Sequence, residues 1–209
     1  SVSFVLNGNA FTNYKKGKLY FENSLDVSYG MLWTKQLGLQ KNEDRLELLS
    51  KFGRAATEKL YYTFLLEFKS QFANGYNYPD DSNVVSRFLA PGYVLASLGI
   101  DYKPVDYFSL YVSPATGKFT FVNKQELADA GAYGVEPAVV DTNGVIIESG
   151  KKSRAEFGAY LNAQFQKDIF KNVNLSVKLD LFNNYTDKNK ANRKYVDVNW
   201  ETALNLKIN

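Results

Sequence analysis

Between Val196 and Ile208 the chain alternates with a period of two. Val196, Val198, Trp200, Thr202, Leu204, Leu206 and Ile208 stand on one side; Asp197, Asn199, Glu201, Ala203, Asn205 and Lys207 stand on the other. Successive side chains of a strand point to opposite faces, so this stretch presents one largely apolar face and one charged or amide face. At about 3.3 Å per residue it reaches roughly 40 Å, longer than most globular strands. A strand crossing a bilayer at a tilt, with its ends among the headgroups, needs about this length.

Composition agrees with strands and removes several chemistries. The 209 residues include 15 Tyr and 15 Phe, an aromatic enrichment typical of sheets. Mean hydropathy is −0.32, and no run approaches the ~18 apolar residues of a transmembrane helix. A barrel tolerates such an average because every second residue faces its interior. The net charge of +3 is small and the basic residues are scattered, which argues against nucleic acid as a partner. The chain has no Cys and no His. Disulfides, thiol nucleophiles, Cys/His zinc sites and imidazole-based triads are therefore excluded.

Pattern counting along the chain gives about nine strands. They fall at 1–14, 19–33, 45–53, 60–72, 88–102, 107–114, 154–166, 173–181 and 196–208. Polar turns such as Lys15-Lys16-Gly17-Lys18 separate some of them. Long connections are expected after Trp33, Phe72, Pro114 and Phe182, and short ones after Tyr14, Gly53, Tyr102 and Gln166. In an up-and-down meander this places every long loop at one end, as in outer-membrane barrels. Thr34–Asp44, Ala73–Arg87 and Ala115–Ser153 are read as connections, the last with a small hairpin over Val139–Ile147 on its Asn143-Gly144 turn. Tyr14, Trp33, Tyr61, Tyr62, Phe72, Tyr107, Tyr185 and Tyr195 collect near strand ends, as an interfacial girdle requires.

Alternation alone does not say whether the apolar face meets lipid or a soluble core. Two features favour lipid. The polar face carries Glu22, Asp26, Lys51, Glu67, Lys69, Lys178, Asp180 and Glu201 at mid-strand positions, with both signs interleaved, which suits a lumen network. The loops are also lopsided, which a sandwich has no reason to arrange. The expected fold is thus an all-β, antiparallel, up-and-down transmembrane β-barrel in a single domain.

Several ordered segments resemble a known family. They include Asn13-Tyr14-Lys15-Lys16-Gly17-Lys18-Leu19-Tyr20-Phe21-Glu22, Phe72-Ala73-Asn74-Gly75-Tyr76-Asn77-Tyr78-Pro79 and Phe88-Leu89-Ala90-Pro91-Gly92-Tyr93. Later come Ser113-Pro114-Ala115-Thr116-Gly117-Lys118, Ala128-Asp129-Ala130-Gly131-Ala132-Tyr133-Gly134 and Lys151-Lys152-Ser153-Arg154-Ala155-Glu156. Together they resemble Bacteroidota outer-membrane β-barrel proteins catalogued as a domain of unknown function. The resemblance implies further strands beyond both ends and a total of roughly 12, an allowed even number. It implies a location and a fold, and no activity.

Candidate sites follow from the residue types. The interior charges would pair across strands and fill the lumen, Glu67 with Lys69 and Asp180 with Lys51, or else line a path for a solute. Glu22 and Asp26 lie roughly 13 Å apart along one strand face, too far for a glycosidase pair. With no His and no Gly-x-Ser-x-Gly elbow, no catalytic residues are assigned and no enzyme is expected. Asp80, Asp81, Asp141 and Asp187 lack any calcium-loop spacing and read as turn residues; no metal and no cofactor is expected. Lys151, Lys152 and Arg154 sit where an outer loop would meet lipopolysaccharide phosphates. The expected role is an envelope component that binds other outer-membrane proteins or lipoproteins through loops 73–87 and 115–153. The alternative is a small-molecule or ion channel through the polar lumen.

Overall fold

The computed structural model describes residues 1–207. In chain order the elements begin with β1 (Val2–Lys16), β2 (Leu19–Thr34), β3 (Gly38–Ala55), β4 (Leu60–Ser70), β5 (Gly75–Asn77) and β6 (Asp80–Ser86). There follow β7 (Gly92–Val105), β8 (Phe108–Phe121), α1 (Gln125–Asp129), β9 (Val139–Val140) and β10 (Ile146–Glu148). The last strands are β11 (Ser153–Phe170), β12 (Val173–Asn184) and β13 (Asp197–Leu206). Short 3-10 turns lie at Ala132–Gly134 and Lys190–Lys194.

Nine strands form one antiparallel sheet in the order β1-β2-β3-β4-β7-β8-β11-β12-β13, curved into a half-barrel. The two small hairpins, β5-β6 and β9-β10, stand apart from it. Among the described residues no helix is long and apolar enough to cross a membrane, which says nothing about crossing by strands.

The period-two pattern sorts the faces. On the convex side lie Phe21, Leu25, Leu48, Phe52, Phe64, Leu66, Leu98, Ile100 and Val112, all exposed. On the concave side Ser28, Lys51, Ser97, Asp101, Thr116 and Asn162 are buried. A soluble sheet does the reverse, because apolar surface left in water costs about 25 cal/mol per Å². The sheet is inside out.

Turn chemistry sets the hairpins. Gly17 takes φ +59, a left-handed value that side chains resist, and the β1-β2 turn closes in two residues there. A Cβ on Gly53 would meet the Tyr20 ring 2.0 Å away, so Tyr20 lies flat across the neighbouring strand. That close approach lets the Tyr20 hydroxyl reach the middle of the concave face.

Several sequence boundaries are corrected. Thr34–Asp44 is not a long connection: the β2-β3 turn is only Lys35–Leu37, and residues from Gly38 belong to β3. The long connections at that end therefore number three, across 71–91, 122–152 and 185–196. Ala73–Arg87 contains the β5-β6 hairpin, and the strand expected from Phe88 starts at Gly92. Ala115–Phe121 continues β8 rather than opening a loop, because Pro114 sits at a bulge instead of a stop. The hairpin on Asn143-Gly144 is present as β9-β10. Of the girdle aromatics, Tyr61 turns inward and stacks edge-on against Tyr20 at 4.9 Å. Ile208 lies outside the described residues.

The projecting end of β3 has a structural duty. Gly38–Arg45 has no partner in β4, and its charges brace the loop above instead. The Asp44 carboxylate accepts from the Phe72 and Ala73 amides at 2.8 and 2.9 Å and pairs with Lys41 at 2.7 Å. Lys41 Nζ also donates to Gln71 and to the Ala73 carbonyl. Asp44→Ala orphans two amides beside a nearly buried Lys41 and is expected to cost about 2 kcal/mol. Limited trypsin digestion should then cut at Arg87 on the order of tenfold faster; an unchanged cleavage rate would show that the loop is held by other contacts.

Candidate functional site

The concave face is the site, and its charges separate into groups. Toward the two- to four-residue turns, Lys103 Nζ bonds Glu22 at 2.6 Å and lies 3.6 Å from Asp101. Asp101, fully buried, also pairs with Lys51 at 3.4 Å and accepts from the Tyr20 hydroxyl at 3.1 Å. Tyr20 shares a second, 2.6 Å bond with Thr63, and Lys103 rests 4.6 Å over the Tyr20 ring. Strands β2, β3 and β7 meet at this carboxylate, and β4 joins them through the Thr63–Tyr20 bond. A buried carboxylate is tolerable only with such partners around it.

A second group lies farther round the curve. Asp180 accepts from Tyr160 at 2.5 Å and Asn162 at 2.7 Å and pairs with Lys178 at 3.5 Å. Glu201 stands opposite Lys178 across the β12-β13 ladder and accepts from Asn199. Glu67 pairs with Lys69 at 2.9 Å, and Asp26 accepts from Asn9. A gap of about 230 Å³ lined by Asp26, Glu47, Glu67, Gln164 and Lys178 brings β2–β4 opposite β11 and β12.

The eight interior charges named from the sequence thus share one face, and the structure alters their pairing. Lys51 is held by Asp101, not by Asp180, because those two groups sit on strands at opposite sides of the curve. Sequence reasoning missed Asp101, Lys103 and Tyr20. It also missed Lys118, which pairs with Asp197 at 3.4 Å and lies 4.9 Å over the Phe182 ring.

Between these groups the interior is packed. Leu65, Leu95, Tyr111, Tyr160 and Phe182 form a buried cluster, with Leu49 against it. Tyr111 has no exposed surface; its hydroxyl donates to Ser97 at 2.9 Å, and Ser97 in turn bonds Thr116 at 2.7 Å. This plug separates openings at the two ends of the sheet. One, about 730 Å³, lies among Lys15, Lys59, Lys103 and Asp106 at the short turns. The others lie beneath the long loops.

Those loops are folded against each other. Arg87 donates to the Asn123 carbonyl, and the Asn123 amide donates to the Leu89 carbonyl at 2.7 Å. Lys124 reaches the Val84 carbonyl at 3.1 Å and the Tyr133 hydroxyl reaches that of Val85 at 2.7 Å. Burial raises the Tyr133 phenol above its ordinary value, so it stays a donor. Ala90, Val122, Ala128 and Val135 make a small apolar nucleus between the two loops. In the β5-β6 hairpin, the Ser82 hydroxyl and amide together with Asn83 hold the exposed Asp80 carboxyl below the usual range.

Lys151, Lys152 and Arg154 do not form one cluster. Arg154 shares the inward parity of Glu156 and Tyr160 on β11, so it faces the concave side and bonds Glu156 at 2.7 Å. Lys151 pairs with Glu136 at 2.6 Å, and Lys188 reaches the same carboxylate. Lys152 is exposed. The β9-β10 hairpin stands clear of the rest, with Val139, Val140, Val145, Ile146 and Ile147 all exposed.

Compared with known proteins, residues 1–76 match the model of a family described as a protein of unknown function, DUF3078. The match covers β1 to β4 and enters the first long loop. No curated protein and no solved structure matches the chain.

Proposed function

We propose that these nine strands belong to an integral outer-membrane β-barrel of roughly 12 strands, in a Bacteroidota-type envelope, that acts as a docking component rather than a pore. The inside-out sheet supports the membrane setting: a contiguous apolar convex face calls for lipid. So do the edges. β1 and β13 each present an open ladder, which hydrocarbon does not tolerate, so the working form is closed by additional pairing. An odd number of antiparallel strands completes nine to an even total.

One observation carries the docking reading over transport: the plug of Leu65, Leu95, Tyr111, Tyr160 and Phe182, flanked by mutually paired charges. Such packing leaves little room for an aqueous path along these nine strands. What remains available is the folded outer surface of loops 71–91 and 122–152, facing outer-membrane proteins, lipoproteins or lipopolysaccharide. The barrel in a planar bilayer is expected to be electrically silent, and to remain so after removal of residues 122–152. Steady conductance of the intact protein would overturn this reading in favour of a channel.

A further inference from the structure

Beneath the long loops the structure holds a chamber that the docking surface does not use. Two adjoining spaces of about 340 and 400 Å³ share Arg154, Glu156, Asn184 and Asp187. Both fall within the range of small-molecule pockets. Glu136 forms a clasp beside them. Reached by Lys151 from its own loop and by Lys188 from loop 185–196, it ties the two loops together where both line the smaller space. On the strands below, Glu156 Oε1 accepts from Arg154 at 2.7 Å and from Asn184 at 2.8 Å. The larger space carries three tyrosines, Tyr93, Tyr133 and Tyr195, beside Thr120 and Asn192.

The lining selects a ligand class. Its charges are already matched within the protein: Arg154 with Glu156, Lys118 with Asp197, and Glu136 with Lys151 and Lys188. Asp187 is engaged by the Asn189 amide at 2.8 Å. An ion entering here would find little uncompensated charge. A neutral ligand with many hydroxyls would find carboxylates and amide oxygens to accept, and guanidinium and amide N–H groups to donate. The tyrosine rings offer flat apolar faces for C–H surfaces, with hydroxyls at their edges. We infer that the chamber binds a saccharide, with Tyr195 and Tyr133 as stacking rings and Glu156, Asn184 and Asn192 as hydroxyl partners. The ligand is either a soluble oligosaccharide or the sugar portion of lipopolysaccharide. The inference rests on the cavity alone, and holds whether or not the barrel conducts.

Saturation-transfer NMR on the detergent-folded full chain tests it, using maltotriose, triacetylchitotriose and core oligosaccharide released from lipopolysaccharide. At least one probe should receive saturation. Signal from the first two marks a soluble glycan as ligand, and signal from the core sugar alone marks the membrane's own lipid. Tyr195→Ala and Asn192→Ala lie at exposed positions where folding is not at stake. Each should weaken the productive probe, the tyrosine change on the order of tenfold. Silence from all three probes, or affinity unchanged in both variants, would overturn the assignment.

Discussion

Asp101→Ala is expected to destabilise the folded sheet by about 3–5 kcal/mol, the cost of stranding a buried cation. The carboxylate has no solvent exposure and the Lys51 side chain only 6%. Without it, Lys51 loses its counter-charge, Lys103 keeps only Glu22, and the Tyr20 hydroxyl keeps only Thr63. Urea unfolding in lipid vesicles, followed by tryptophan fluorescence, measures the loss. The double variant Lys51→Met with Asp101→Leu should recover most of it, because removing both charges also removes their desolvation. A single variant within about 1 kcal/mol of the parent would mean that water or a neighbouring group neutralises Lys51.

The second large effect belongs to the plug. Tyr111→Ala empties the place of the largest fully buried side chain, and aromatic truncations of this kind cost about 3–5 kcal/mol. Tyr111→Phe keeps the ring and loses the hydroxyl's bond to Ser97, for about 1 kcal/mol. The same unfolding experiment separates the two: a large gap between the variants shows that ring packing, not the hydrogen bond, closes the interior. Equal losses would make the polar Tyr111-Ser97-Thr116 chain the main support.

How much of this was readable in the residues follows from where alternation has a cause. In β2, β4, β12 and β13 one face is apolar and the other polar, and those strands are plain in the sequence. Gly38–Asp44 hid because it projects past β4, and after Leu39 the run Gln40–Asp44 is polar on both faces, with a bulge at Asn42. Pro114 and Gly117 imitate a turn, yet both sit inside β8, Pro114 at a bulge and Gly117 paired with Ala96 and Phe157 on the neighbouring strands. Asp101 escaped because its strand has small or apolar residues on both faces. Its partners Lys51 and Tyr20 lie 50 and 81 residues away, a distance over which no local pattern reports. The chamber was invisible for the same reason. Arg154 read as a surface cation beside two lysines, and only strand parity turned it inward.

That ambiguity of β7 gives the contacts between loops 71–91 and 122–152 a further consequence. Val94, Ala96, Leu98 and Ile100 on one face and Leu95 on the other leave the strand only weakly committed to its orientation. A slip of one residue against β4 would exchange the faces, sending Ser97 and Asp101 outward. Loops 71–91 and 122–152 flank the β7-β8 pair at its open end. Fastened through Arg87, Asn123, Lys124 and Tyr133, they fix where β7 starts and β8 stops. Held there, the two loops oppose the one-residue slip that the side chains of β7 alone would tolerate.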